Sequence, residues 1–177
     1  MKRFLLLAGC VLAQAAQAHV TLLERSAAAG TSYKAVLTLT HGCEGSPVRA
    51  VTVRVPAGLR GAKPMPKPGW TLQVIRAALA TPYTSHGKLV TEDTVELRWT
   101  AQSQEAWLQD AWFDEFTLRG QLPATPGPLW FKVRQDCERG AIDWSEVPAE
   151  GTSTRGLKAP AVLLEVRPAG AQAGHAH

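Results

Sequence analysis

Period-two alternation recurs along this chain, and it limits the fold to one built of strands. Tyr33–Thr40 (YKAVLTLT) places Tyr33, Ala35, Leu37 and Leu39 on one face. Val51, Val53 and Val55 alternate with Thr52 and Arg54, and Val95, Leu97 and Trp99 oppose Glu96, Arg98 and Thr100. Trp70–Arg76, Phe116–Arg119, Leu129–Gln135 and Val162–Val166 read the same way. Each segment is short with one buried face, which predicts largely antiparallel sheets. The 15 glycines and 12 prolines disfavour a helical bundle. His41–Pro47 (HGCEGSP) and Pro123–Pro128 are turns. Lys63–Gly69 (KPMPKPG) has prolines at 64, 66 and 68, so it is extended and excluded from a central strand. Many strands with turns between them predict an all-β sandwich or barrel. Ser103–Trp112 is the one helical candidate. Ala169–His177, rich in Ala and Gly, reads as a disordered tail.

The 177 residues suit one domain. With 19 Lys+Arg against 15 Asp+Glu the net charge is +4, too little to argue for nucleic acid, and no Lys/Arg run reads as a phosphate-binding stripe. No G-x-S-x-G elbow, P-loop, dinucleotide fingerprint or H-E-x-x-H pair is present, and the neighbours Asp114 and Glu115 point to opposite faces of a strand. The expectation is therefore a binding protein and not an enzyme.

The first 18 residues, MKRFLLLAGCVLAQAAQA, form a signal peptide: Lys2 and Arg3 precede an apolar run, and Ala16-Gln17-Ala18 is an A-x-A cleavage site. The apolar run is too short for a membrane span, and no other segment supplies one. The product is expected to be exported, periplasmic or otherwise, with the domain at 19–168 and the tail at 169–177. A competing reading takes Leu7-Ala8-Gly9-Cys10 as a lipoprotein box. After cleavage at Ala18 only Cys43 and Cys137 remain, and in an oxidising compartment the simplest outcome is one disulfide. Two free thiols holding a soft metal is the alternative, which the absence of C-x-x-C spacing disfavours.

Cleavage at Ala18 makes His19 the first residue. Its α-amine and ring Nδ1 can then close a six-membered chelate on one metal ion. The amine titrates near neutrality, so a metal displaces its proton at little cost. Amine, imidazole and a carboxylate oxygen form a tetragonal N,O donor set that favours Cu(II). Glu44, Glu24 and, more weakly, Glu146 are the candidate carboxylates. An electron-transfer copper site is disfavoured, because it needs a thiolate and an axial methionine. A copper oxidase or oxygenase needs a second histidine beside the first, for which His41 and His86 are the ordered candidates. His175 and His177 could bind metal only loosely. Trp144 could lie with its ring face against a bound cation, or could be an ordinary core tryptophan. A metal-free carbohydrate or adhesion sandwich using exposed tryptophans is a further alternative.

Several motifs, in order, carry a resemblance: His19-Val20-Thr21-Leu22, Ala29-Gly30, His41–Pro47, Lys63–Trp70, Asp114-Glu115-Phe116, Gln135-Asp136-Cys137 and Trp144-Ser145-Glu146-Val147-Pro148. Over nearly the whole mature chain the sequence resembles the YcnI-like copper-binding family. The resemblance implies an exported, cupredoxin-like antiparallel β-sandwich that binds Cu(II) through a single-histidine brace, for copper homeostasis. It implies His19 as amine and imidazole donor, Glu44 as the carboxylate with Glu24 in reserve, and Trp144 beside the metal. Cys43 and Cys137 match the variant with a disulfide next to the site. The partner implied is another copper-trafficking protein. Ala77–Lys88 departs from the pattern, being longer than in compact members.

Overall fold

The computed structural model describes residues 19–170. The predicted signal peptide and positions 171–177 of the predicted tail, with His175 and His177, lie outside the described residues. In chain order the strands are β1 (Thr21–Leu22), β2 (Ser26–Ala28), β3 (Ser32–Leu39), β4 (Val48–Arg54), β5 (Arg60–Pro64), β6 (Trp70–Ser85), β7 (Lys88–Ala101), β8 (Asp114–Gln121), β9 (Gly127–Cys137), β10 (Ala141–Trp144) and β11 (Val162–Arg167). One sheet has the order β1-β3-β8-β5 and the other β2-β11-β9-β4-β7-β6, with β10 on β9. The two sheets form the sandwich expected from the alternation.

Most of the alternating residues are core, but Trp70–Arg76 opens a strand of 16 residues that runs beyond the sandwich and leaves Val74 exposed, against the expectation of a short strand with one buried face. Leu37, Leu39, Phe116 and Leu118 of one sheet are buried, as are Val51, Val53, Leu97, Trp99, Phe131, Val133 and Leu164 of the other. Burying one such side chain contributes about 1.5–3 kcal/mol, so truncating Leu37 to Ala would cost about 2–5 kcal/mol. Trp70 and Trp99 meet Phe116 edge-on, with centroids 5.2 and 5.7 Å away. The proline-rich segment lies beside this cluster. Trp99 Nε1 donates to Met65 O at 3.0 Å, and Lys67 Nζ pairs with Asp114 at 2.6 Å. As its prolines require, the start of this segment, Lys63 and Pro64, belongs to an edge strand.

Strand pairing is largely antiparallel, as expected, with one parallel pair between β2 and β11. The chain leaves β1 and joins the other sheet within three residues, and the buried Tyr33 hydroxyl holds that crossing by donating to Glu24 O. One expectation needs correction. Ser103–Trp112 is not a helix beyond one 3₁₀ turn at Gln104–Ala106. Its backbone is claimed by the sheet side instead, with Val48 N donating to Leu108 O at 2.8 Å and Leu108 N to Val48 O at 3.0 Å.

Ala77–Lys88 is the end of a long hairpin made by β6 and β7. His86 (φ 49°) and Gly87 (φ 76°) form its turn. Two positive φ values in a two-residue loop match the right-handed twist of the flanking strands. The hairpin is tied down behind its tip, where Tyr83 Oη donates to Asp93 Oδ2 at 2.7 Å.

Candidate metal centre

His19 closely precedes β1, which pairs with β3 through Thr21–Thr38 and Leu22–Leu37. Continuing that antiparallel register carries His19 toward Thr40, next to His41. Val20 is buried and anchors the approach, while His19 itself is half-buried. On the other sheet, β9 places Phe131, Val133, Gln135 and Cys137 on one buried face. Trp144 ends β10 opposite Val133, so its indole lies on that same face beside Gln135. Trp144 is 3% exposed and Gln135 1%.

These elements converge on one indole. The His19 ring meets Trp144 edge-on at 5.3 Å between centroids, and the His41 ring meets it at 6.4 Å. Trp144 Nε1 donates to Gln135 Oε1, and Gln135 Nε2 donates to His41 O at 2.9 Å. One buried carboxamide thus fixes both the indole and the start of the His41–Pro47 loop. His41 Nδ1 lies 2.6 Å from Gly42 O, which orients the ring.

The loop is pinned along its length. Cys43 and Cys137 form a disulfide across 94 residues of sequence. Asp110 Oδ1 accepts from Gly42 N at 2.9 Å, and Ser46 N donates to Cys43 O at 2.9 Å. Ser46 Oγ accepts from Arg139 N at 2.9 Å. A side chain at Gly42 would place its Cβ 1.8 Å from Ser46 O, so only glycine fits. Glu44 sits at the tip with φ 50°. An L-residue there costs about 1–2 kcal/mol, and the surrounding bonds hold it in place.

The structure therefore brings together His19, Trp144 and His41, and Cys43 and Cys137, from the residues singled out in the sequence. Trp144 is at once a core tryptophan and the neighbour of His19. Glu44 is exposed at the tip of the pinned loop, and the structure does not bring its carboxylate together with His19 or Trp144. Glu24 is exposed too, and its charge acts on Tyr33, whose hydroxyl is pushed up first by burial and then by that carboxylate. The Glu146 carboxylate is engaged, with Oε2 accepting from Lys158 N at 2.9 Å. His86 is at the hairpin turn. Sequence reasoning misses Gln135, although a glutamine in phase with Phe131, Val133 and Cys137 signals a buried polar group that needs partners.

Among the described residues no three of His, Cys, Asp and Glu gather around a common point. An open groove of about 670 Å³ begins at His19 and runs past Arg25, Leu157, Pro160, Val162 and Arg167. Among the described residues no helix is long and apolar enough to cross a membrane.

The fold and this cluster define an immunoglobulin-like sandwich with a disulfide-braced loop and a histidine–tryptophan contact at one end. The family model "Domain of unknown function (DUF1775)" matches residues 19–166, and the chain belongs to that family. An uncharacterized protein from Nocardia farcinica, described as having an immunoglobulin-like fold, is 25% identical with a TM-score of 0.62, over 84% of this chain and 97% of that one. A cohesin–dockerin complex from Clostridium thermocellum is 9% identical with a TM-score of 0.38, over 84% of this chain and 98% of that one, too distant to carry an argument. The chain matches no curated protein.

Proposed function

We propose that this chain is an exported, periplasmic or cell-surface protein that binds Cu(II) through His19 once a leader is removed, and that it sequesters the ion or delivers it to a copper-trafficking partner. The observation that carries this reading is the packing of His19 against Trp144, in a chain whose family match begins at His19 itself. In the full-length chain the nitrogen of His19 is a peptide nitrogen. Cleavage after Ala18 would turn it into an amine one chelate ring from Nδ1. Trp144 would cover one side of the ion, keep water from it and offer its π-face to the charge. Glu44, on the pinned loop, would supply the carboxylate oxygen, with Glu24 in reserve. The groove leading from His19 would leave the open side reachable by a partner. The role is that of a carrier and not of a catalyst.

The test is a copper titration of protein beginning at a free His19 against the same protein with its α-amine acetylated. Acetylation removes the amine donor and is expected to abolish tight binding. Equal affinity for the two overturns the brace. Glu44→Gln should weaken binding, and if it does not while Glu24→Gln does, Glu24 is the ligand.

A further inference from the structure

On the outward face of the first sheet three cations stand in one cross-strand row. Lys34 of β3 is the register partner of Arg119 of β8, and Arg119 is the partner of Lys63 of β5. All three are exposed. Strands lie about 4.8 Å apart, so the row spans roughly 10 Å. Like charges directly opposite one another destabilise a sheet, and among the described residues none of the three is in an ion pair. The in-phase acid on β8 is Glu115, four residues along, or about 14 Å. Arg119 Nε donates to a neutral group, Ser32 Oγ, at 2.8 Å.

The long hairpin walls this row. Tyr83, Thr84, Ser85 and His86 face Arg60, Lys63 and Arg119 across a groove of about 720 Å³ whose lining, among the described residues, contains no carboxylate. The wall is fixed and not merely adjacent. The Arg60 guanidinium lies 4.7 Å from the centre of the Tyr83 ring, and the Tyr83 hydroxyl reaches Asp93. Asp93, the nearby carboxylate, is buried and already accepts from Gly61 N at 2.7 Å and Thr94 N at 2.7 Å as well as from Tyr83. It is turned to holding the hairpin on β5 and not to neutralising the row.

We propose that this groove is a binding site for a ligand carrying phosphate groups, with Arg119, Lys63 and Arg60 lining it and Lys34 beside Arg119 at its border. A phosphate monoester carries close to two charges and three acceptor oxygens, so one group can neutralise two neighbouring cations. A carboxylate carries one charge and leaves the row unbalanced. The site is separate from the copper reading and stands or falls without it.

The experiment uses metal-free protein and two phosphate sources. Sodium tripolyphosphate is titrated calorimetrically at low salt, and phosphatidylcholine vesicles with and without phosphatidic acid, whose headgroup is a phosphate monoester, are tested by co-sedimentation. Arg119→Gln and Lys63→Gln should each weaken phosphate binding about tenfold. Lys34→Gln keeps the Arg119–Ser32 bond and should weaken it as well. Arg139→Gln, an exposed cation paired with Glu138, should change nothing. Without ligand, Lys63→Gln should raise the melting temperature, because it relieves the repulsion. Row-dependent binding to tripolyphosphate identifies a soluble phosphate, and row-dependent binding confined to phosphatidic acid vesicles identifies a lipid headgroup. The proposal is overturned if neither source binds, or if Arg139→Gln weakens binding as much as Arg119→Gln does.

Discussion

Trp144 donates its indole N–H to the side-chain oxygen of Gln135, and both residues are buried. The other end of that carboxamide holds His41 O. Gln135→Leu would leave a buried indole donor and a backbone acceptor without partners, and is expected to cost about 1–3 kcal/mol for each group left unsatisfied. Denaturant unfolding measures this. The same variant should lower copper affinity, because the ring against His19 is no longer fixed. Trp144→Phe should mainly reduce the quenching of tryptophan fluorescence by copper.

Replacing both Cys43 and Cys137 with Ser opens a loop of 94 residues. The chain-entropy treatment gives a loss of roughly 4–5 kcal/mol, readable by thermal or urea unfolding with and without reductant. The Glu44 loop loses its main anchor in the same step, so copper binding should weaken even in the fraction that remains folded.

Gly42→Ala should destabilise the protein strongly, because the new Cβ would lie 1.8 Å from a backbone oxygen that cannot swing away. A loss of about 2–3 kcal/mol is expected. Gly61→Ala makes a useful contrast, since a Cβ there meets nothing within 4 Å. Its φ of 60° imposes only the left-handed penalty of about 1–2 kcal/mol. If the two variants unfold at the same urea concentration, the close approach of Gly42 to Ser46 is not a constraint.

Asp93 ties the hairpin to β5. Burial alone would raise its pKa, but donors from Gly61, Tyr83 and Thr94 and the charge of Arg76 outweigh burial and hold it below the ordinary value of 3.8. A carboxylate depressed in the folded state stabilises it above the unfolded-state value and loses that contribution as pH falls through the folded-state value. Asp93→Asn should therefore be less stable than the parent at neutral pH, and the gap should close as the pH falls below 3.8. A gap that stays constant through that range would show that the charge of Asp93 contributes nothing.

Much of the fold is legible in local pattern. Ala35, Leu37 and Leu39, Val51 and Val53, and Leu97 and Trp99 all point inward as their period-two spacing requires. The turn residues mark the breaks between β3 and β4, β5 and β6, and β8 and β9, and the cysteine count points to the pair that forms the disulfide. The short strands β1 and β2 hold too few residues for a period to emerge, and β5 (RGAKP) has no apolar alternation to read. The helical pattern of Ser103–Trp112 is weak, and it yields to a sheet that offers this backbone better-placed partners.

Sequence by itself determined the strand-rich class and the inward direction of side chains such as Leu37, Val53 and Trp99, because those follow from near neighbours along the chain. Tertiary structure alone decided that Gln135 clamps Trp144 and His41. It also decided that Lys34, Lys63 and Arg119 line up, although no run of basic residues occurs in the chain. The physical reason is register: hydrogen bonding between strands fixes which distant residues stand side by side, and a one-residue slip would turn every one of them to the opposite face.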